Sequence, residues 1–452
     1  MTGRYKAYPE YKESNHIWLG SVPAHWDILR AKRIFTAVRV PVKESDEQLA
    51  ASQKYGVVPQ SLMMKLNNAK VMLALKGTDS FRHVDKDNFV ISLRSFEGGI
   101  EHSAYEGCVS PAYTVLKASL KQCPVFFKYL LKCEPFIAAL QSTTDSLRDG
   151  KSISYEQFGS IYLPYCNFEE QQKMANFLDH ETAKIDTLIT KQEKLIELLK
   201  EKRQAVISHA VTKGLNPDAP MKDSGVEWLG EVPEHWEVGR VKNLAKLISK
   251  GTTPSTIGGG FIDEGIRFLK GENIGKSLFV NLSPTFYISE EVDAQLSRSR
   301  LQENDVLVII AGATTGKASI LTKELLPANT NQAVSFIRPK KTIYSKLIAL
   351  WLSTEYAQRI IWMGAVQAAQ PNLSMEDLGN LPIVLPDEDE VIPLLNEIDR
   401  KIEQFDALTL KANSAIELMK ERKTALISAA VTGKIDVRHF VLKQGQQQGV
   451  QG

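Results

Sequence analysis

The stretch EYKESNHIWLGSVPAHW at residues 10–26 returns as PMKDSGVEWLGEVPEHW at residues 220–236. Lys12, Ser14, Trp18-Leu19-Gly20, Val22-Pro23 and His25-Trp26 find counterparts in Lys222, Ser224, Trp228-Leu229-Gly230, Val232-Pro233 and His235-Trp236. Two tryptophans at fixed spacing in each copy make coincidence a poor account, and self-similarity at a fixed offset marks a duplicated structural unit.

Working outward, a second block repeats. Ser154, Glu156 and Gly159 match Ser374, Glu376 and Gly379, and Ile185-Asp186-x-Leu188 is echoed by Phe405-Asp406-x-Leu408. Glu197-Leu198, Lys200-Glu201, Ile207-Ser208 and Ala210-Val211-Thr212 match Glu417-Leu418, Lys420-Glu421, Ile427-Ser428 and Ala430-Val431-Thr432. The chain therefore reads as a module and a helix, twice. The expected divisions are a first module at 1–165, a helix at 166–213, a second module at 214–385 and a helix at 386–434. The tail at 435–452 ends in KQGQQQGVQG, too polar to offset the entropy of ordering. The module interiors, roughly 37–150 and 248–370, share no alignable sequence.

From Phe168 to Thr212 there is neither Pro nor Gly, and apolar residues recur at Leu178, Ile185, Ile189, Ile196, Leu199 and Val206 with heptad spacing. The second copy repeats the seam at Leu395, Ile398, Ile402, Phe405, Ile416, Met419 and Leu426, with Pro393 tolerable near the first turn. A seam this narrow is most simply covered by the other helix, which predicts an antiparallel coiled-coil pair. At about 1.5 Å per residue the first helix reaches ~65–70 Å, about two turns of B-DNA. Arg203 and Lys423 hold corresponding seam positions, where their stems are expected to snorkel. Trp18, Trp26, Trp228 and Trp236 are expected as core plugs.

Within the modules, NFVISLR at 88–94, DVLVII at 305–310 and AVSFIRP at 333–339 read as strands, and 343–359 as helix. The fold class is mixed α/β (α+β): two globular modules separated by two long antiparallel helices, with an internal pseudo-two-fold repeat.

A hydrophobic content of 43% with 24% charge in 452 residues is that of a globular protein able to bury real cores. No apolar run approaches the ~18 residues of a membrane span, and MTGRYKAYPEYKESNH lacks an apolar signal core, so the expected address is the cytoplasm with no membrane partner. Cys108, Cys123, Cys133 and Cys166 form no C-x-x-C pair, which argues against zinc and against a disulfide framework. Residues 1–165 carry 21 Lys+Arg against 16 Asp+Glu, whereas 214–385 carry 17 against 18. Charge alone does not announce a nucleic-acid binder, whose affinity usually draws on phosphate neutralisation.

The segment AGATTGK at 311–317 directly follows the strand-like DVLVII and nearly spells a phosphate-binding loop. Position 318 is alanine where a Ser or Thr hydroxyl would meet magnesium, and ASILTKELLP reads as another strand, so a glycine-containing hairpin is expected instead. No Pro-Pro pair, G-x-G-x-x-G or H-E-x-x-H occurs, which leaves methylase, dinucleotide and zincin chemistry without residues. No catalytic residue and no metal ligand set is assigned.

The interiors do offer polar, glycine-punctuated loops. In the second module these are Lys250, Thr252 and Thr253; Lys270 and Asn273; Thr314, Thr315 and Lys317; and Asn329, Asn331 and Gln332. In the first they are Ser92, Arg94 and Ser95, then Arg148, Lys151 and Ser152. Asn and Gln pair bidentately with adenine, Arg with guanine, and Lys or Thr with phosphates, so these residues are candidates for double-stranded DNA, although solvated turns have the same composition.

Taken together, the paired openings, the helix endings AVISHAVTKGL and ALISAAVTGKI, and the segments LQENDVLVIIAGATTGKASI and NTNQAVSFIRP resemble the specificity subunit of Type I restriction-modification systems across nearly the whole chain. That resemblance implies that each module reads one half of a split target while the helices fix the gap and dock two modification subunits. Those subunits would bind S-adenosylmethionine and methylate adenine at N6, and restriction subunits would add ATP- and Mg-dependent cleavage; no cofactor is implied in this chain. The family's Glu-Gln at the helix start is kept as Glu170-Gln171 but replaced by PDEDEVIP in the second copy. Without the resemblance, the residues also fit a stand-alone DNA-binding scaffold or a nucleotide-dependent DNA enzyme using the 311–317 loop.

Overall fold

The structure, a computed structural model, describes residues 5–67, 78–92, 98–143, 153–227, 229–365 and 372–441. The chain divides into two compact units, Met1–Glu193 with Ser414–Gly452, and Lys194–Asn413. Each unit thus joins one module to the near end of its own long helix and to the far end of the other, so the two helices run antiparallel within each unit.

Each module opens with the repeated W-L-G stretch folded as a β-hairpin. Tyr11–Glu13 pairs with Ser21–Pro23 and Met221–Asp223 with Glu231–Pro233, antiparallel. Gly20 and Gly230 close these turns at φ +60 and +66, a conformation other residues adopt only with strain. The next strand pairs with the last strand of the module: Asp27–Arg30 with Tyr162–Tyr165, and Glu237–Arg240 with Pro382–Leu385, in identical register. That pairing brings the end of each module back beside its beginning, where the long helix starts.

The repeated Ser-x-Glu-x-x-Gly block is a short helix docked here. Ser154 and Ser374 accept a hydrogen bond from the backbone N–H three residues on, satisfying the helix start. A Cβ on Gly159 would come within 3.1 Å of Lys32 Cβ, and one on Gly379 within 3.1 Å of Ile248 Cδ1, so glycine lets the short helix pack closely at both places without displacing its neighbour.

The central sheet follows. In the first module its order is Phe35–Val38, Thr114–Ala118, Phe89–Ile91, Ile100–His102; in the second it is Ala245–Lys250, Val334–Pro339, Val306–Ile309, Ala318–Ile320. Every pairing is antiparallel. Both modules therefore connect four strands in the same order, although their interiors share no alignable sequence. They differ in the smaller ladders that are inserted between the strands of the sheet. The first module carries two two-stranded ladders, Leu49–Ser52 with Gly56–Pro59 and Arg82–Val84 with Gly107–Val109. The second contributes Ile266–Leu269 and Tyr287–Ile288 to a three-stranded sheet completed by Ala328–Thr330.

Trp26 and Trp236 are buried core residues; Trp18 is half-buried, edge-on to Phe136, and Trp228 lies outside the described residues. The four cysteines are buried free thiols, and burial pushes the Cys133 thiol up to about 12.

The long helices span Phe168–Lys213 and Glu388–Val431. The expectation of an unordered tail from residue 435 is corrected over its described part: Ile435 and Val437 are buried in the first unit's core and Asp436 N donates to the Lys6 carbonyl (2.7 Å), because the tail's apolar residues precede its Gln/Gly stretch. In the first unit Leu178 and Ile185 pack with Leu426, Ala430 and Val431, with Ile189 and Met419 at the margin. In the second unit Ile207, Ala210 and Val211 pack with Leu395 and Ile398, with Ile402 at the margin. Leu199 and Ile416 are buried, and Ile196 and Phe405 half-buried.

The structure corrects three details of the helical pattern. Val206 is only half-buried and its neighbour Ile207 fills the core, because a 3.6-residue helix drifts from a strict 3.5-residue stripe. Pro393 sits in the second turn rather than at the first, and the carbonyl of Asp389 that it cannot serve belongs to an exposed residue where water reaches. Arg203 and Lys423 do more than snorkel. Lys423 Nζ lies 2.6 Å from Asp186 Oδ1, and Arg203 Nε lies 3.5 Å from Asp406 Oδ1. Lys423 and Asp406 are the repeat counterparts of Arg203 and Asp186, so the duplicated sequence supplies the same interhelical ion pair in each unit.

Candidate nucleic-acid interface

In the second module the hairpin between Val306–Ile309 and Ala318–Ile320 carries the AGATTGK turn. Its backbone is held by itself: Gly316 N donates to the Ile309 carbonyl (2.8 Å), Thr315 N to Gly312 (3.2 Å) and Lys317 N to Thr314 (3.2 Å). Gly312 and Gly316 take φ +103 and +90. A phosphate cradle needs free N–H groups at a helix start. Here the N–H groups of Thr315, Gly316 and Lys317 are engaged within the turn and a strand follows in place of a helix, which departs from nucleotide-binding geometry. Gln358 braces it from behind, its side-chain N–H donating to the Gly316 carbonyl at 2.9 Å. Thr314 and Lys317 are left exposed at the tip.

A second group gathers where two strands end together. Ile266–Leu269 runs parallel to Ala328–Thr330, with Leu269 opposite Thr330, so Lys270 and Asn331 leave the sheet side by side. Thr252 N donates to the Thr330 carbonyl (3.1 Å), which brings the Lys250–Thr253 loop alongside. Gly251 permits that approach, since a Cβ there would lie 1.9 Å from the Thr330 oxygen. Lys250 and Gln332 are exposed, and Thr252, Thr253, Lys270 and Asn331 half-buried. Ile310 N donates to the Ala333 carbonyl (2.9 Å), tying this edge to the base of the 311–317 hairpin.

Three expected contact residues are instead structural. Asn329 is fully buried, accepting from Ser299 Oγ (2.7 Å) and donating to Asp293 Oδ1 and the Leu296 carbonyl (both 3.1 Å). Asn273 caps the turn after Lys270 and donates to the carbonyls of Asn281 and Pro284. Thr315, 1% exposed, donates to the Gly312 carbonyl. Buried polar groups engaged within the fold have nothing left to offer a base edge. Lys270 is also engaged, its ammonium 3.5 Å from the Phe286 ring centroid and 4.1 Å from that of Phe261.

In the first module Ser92 is half-buried at the end of Phe89–Ile91, its N–H donating to the Gly99 carbonyl (2.9 Å). Arg94 and Ser95, and likewise Arg148, Lys151 and Ser152, lie outside the described residues. The strands on either side of 92–99 nonetheless occupy the same places in the sheet as the strands flanking 310–317. Ser92 therefore follows the strand that corresponds to the one leading into the Thr314 turn, which the sequence does not reveal.

Sequence reasoning also missed a cationic cleft. A cavity of about 660 Å³ is lined by Lys200, Arg203, Lys276 and Lys317, with Asp406 and Gln204. Lys276 and Lys317 are far in sequence from each other and from the helical pair Lys200 and Arg203, so no single run of charge gave the four away together. Among the described residues, Asp46, His83 and Glu106 form a grouping with metal-ligand chemistry. The two nitrogens of the buried His83 face different carboxylates, Asp46 at 2.9 Å and Asp85 at 3.1 Å, and the hydrogen bond from His83 holds the Asp85 carboxyl below its usual range. That is the arrangement of an ion-pair network joining a loop to the Arg82–Val84 strand. No helix among the described residues is long and apolar enough to cross a membrane.

Residues 233–426 match the family model of the Type I restriction modification DNA specificity domain. The Type I restriction enzyme EcoBI specificity subunit of Escherichia coli is 26% identical over 308 residues, which span 66% of this chain and 64% of that subunit's length. The Type I restriction enzyme MjaVIII specificity subunit of Methanocaldococcus jannaschii is 24% identical over 443 residues, spanning 95% of this chain and 98% of the relative. Among solved structures, a chain from work on complex assembly and conformational transition of the type I R-M system aligns with a TM-score of 0.68 at 14% identity, over 92% of this chain and 99% of that one. The HsdS subunit from Thermoanaerobacter tengcongensis aligns with a TM-score of 0.53 at 15% identity, over 92% and 98%. At such identities the structural likeness speaks to the fold: mixed α/β modules joined to long helices.

Proposed function

We propose, for a chain of the Type I restriction-modification specificity-subunit family, that it reads DNA for catalytic partners and carries no catalytic centre of its own. Each module binds one half of a bipartite double-stranded target, through the hairpin and strand-end loops described above. The long helices hold the gap between the halves and dock two modification subunits, which bring S-adenosylmethionine and methylate adenine at N6. Restriction subunits with ATP and Mg complete an assembly that cleaves unmodified DNA in the cytoplasm.

The observation that carries this reading is the pair of modules with one sheet order and two unrelated interiors on a duplicated helical frame. A common scaffold with divergent loops suits two readers of different sequences. Two weak readers on a stiff spacer gain effective concentration for each other, and a helical spacer fixes register as a flexible linker cannot. Leu188, Leu195, Leu198, Leu408, Leu410 and Leu418 are exposed along the helices, which supports a role for them in subunit docking.

The test is long-read methylation mapping of genomic DNA from cells with and without the gene. Loss of adenine methylation at one split motif is the expected result. An unchanged methylome in cells whose modification subunit is expressed would favour the stand-alone DNA-binding scaffold instead.

A further inference from the structure

The glutamate in the first turn of each long helix is gripped in the same way in both units, but only one of the two grips is closed. In the first unit Trp26 Nε1 donates to Glu170 Oε1 (3.1 Å), His25 Nε2 lies 2.9 Å from Oε2, and the Tyr8 hydroxyl donates to Oε1 at 2.8 Å. Tyr8 is buried edge-on to Trp26, and the Arg438 guanidinium covers its ring at 4.8 Å. Under this plug the Glu170 side chain is 4% exposed.

In the second unit Trp236 Nε1 donates to Glu390 Oε2 (2.6 Å) and His235 Nε2 lies 3.1 Å from the same oxygen. Gly214 meets the Trp236 ring as Gly433 meets the Trp26 ring. The repeat, however, puts the exposed Asp218 where the first copy has Tyr8. The Glu390 side chain is 48% exposed, on the wall of a cavity of about 240 Å³ floored by Trp236, Pro233 and Leu394 and flanked by Leu215, Ala219 and Asp389.

We propose that this cavity is a docking site for a partner polypeptide presenting a tyrosine next to a cation, the ring seated on Trp236 and Pro233 and the hydroxyl donating to Glu390. The chain itself supplies the template, since Tyr8 with Arg438 fills the corresponding place. The volume suits one aromatic side chain and falls below the roughly 300–1,000 Å³ of clefts that hold drug-sized ligands. Two carboxylates, Asp389 and Glu390, face one ammonium, Lys213, on the lining, and that acidic excess favours a cation beside the ring, as Arg438 stands beside Tyr8. Leu215 on the lining is 48% exposed, apolar surface that a docked segment would cover. A phenyl ring without the hydroxyl would remove water from the Glu390 carboxylate and return no donor, so the site discriminates tyrosine from phenylalanine. The inference does not depend on what the modules read.

Calorimetric titration of the full chain with N-acetyl-Tyr-Arg-amide tests it, with the Phe-Arg and Tyr-Glu analogues as controls. The Tyr-Arg probe is expected to bind at one equivalent, and both analogues about tenfold or more weaker. Ala219→Trp, which fills the cavity from its flank and leaves the Trp236–Glu390 contact alone, is expected to abolish binding; Leu215→Trp serves as a second plug should the first unfold the chain. Absence of Tyr-Arg binding at millimolar concentration, or equal binding by a folded plugged variant, overturns the proposal. Self-association of the chain that is lost on plugging assigns the cavity to a second copy and overturns it as well.

Discussion

The two modules of this chain agree where they hold the helices and disagree where they face outward, and the contrast separates two kinds of structural constraint. At the frame, His25-Trp26 and His235-Trp236 must reach a carboxylate on a helix, and strands 27–30 and 237–240 must keep register with 162–165 and 382–385. A one-residue slip there would turn every side chain of the strand to the wrong face. Such positions tolerate few substitutions, so the duplication remains visible in the letters. In the interior the sheet asks only for buried apolar strands of the right length. Phe89–Ile91 and Val306–Ile309 satisfy that demand with different residues.

The strongest way to break the comparison is to make the modules identical. A chain in which residues 241–381 replace residues 31–161 keeps both frames and carries the second interior twice. If the interiors alone carry the reading, its methylated target becomes symmetric, with the half-site of the second module on both sides. A target that stays asymmetric, or a folded chimera with no target, means that the frame contributes to reading and the modules are not interchangeable. Next in size is the spacing. Four residues inserted in either long helix, about one turn and ~6 Å, are expected to change the accepted gap or abolish methylation. An unchanged gap with full activity would remove the helices from any role as ruler.

How much of this was legible in the sequence follows the same division. The helices and the hairpin at 311–317 could be read because periodicity and glycine placement each have a local signature. The common strand order could not, since burial fixes hydrophobicity and not identity. Nor could Asn273, Asn329 and Thr315 be told from true surface donors. A buried asparagine that caps a turn and an exposed one that awaits a ligand are the same letter in the same kind of loop, and only the partners Asp293, Ser299, Asn281 and Pro284 decide between them. Glu390 illustrates the converse. Its surroundings, PDEDEVIP, depart from the first copy, yet His235 and Trp236 find the carboxylate where position in the repeat puts it.

Smaller effects sharpen the comparison of the two helix ends. Asp186→Lys opposes Lys423 across the helices, and Asp406→Lys opposes Arg203. Both pairs are substantially exposed, so each reversal is expected to lower stability by about 1 kcal/mol or less, and restoring opposite charge with Lys423→Asp should recover most of the loss. Thermal unfolding of the two single variants and the double variant is the check. No recovery would mean that the bridge is incidental to the helix register.

The smallest expected effect concerns the tip of the hairpin. Lys317 is exposed, and the turn that presents it is fixed by its own backbone hydrogen bonds and by Gln358, so Lys317→Ala should leave the fold intact. If its ammonium meets a phosphate, the variant weakens binding to all sequences alike and lowers the salt dependence of binding by about one unit of slope. If it meets a base edge instead, discrimination at one position relaxes by about 1–3 kcal/mol. Binding isotherms at several salt concentrations, on matched and singly mismatched targets, distinguish these outcomes. An unchanged slope with unchanged discrimination would take the hairpin out of the interface and leave the Lys250–Thr253 and Asn331–Gln332 edge as the reading surface of the second module.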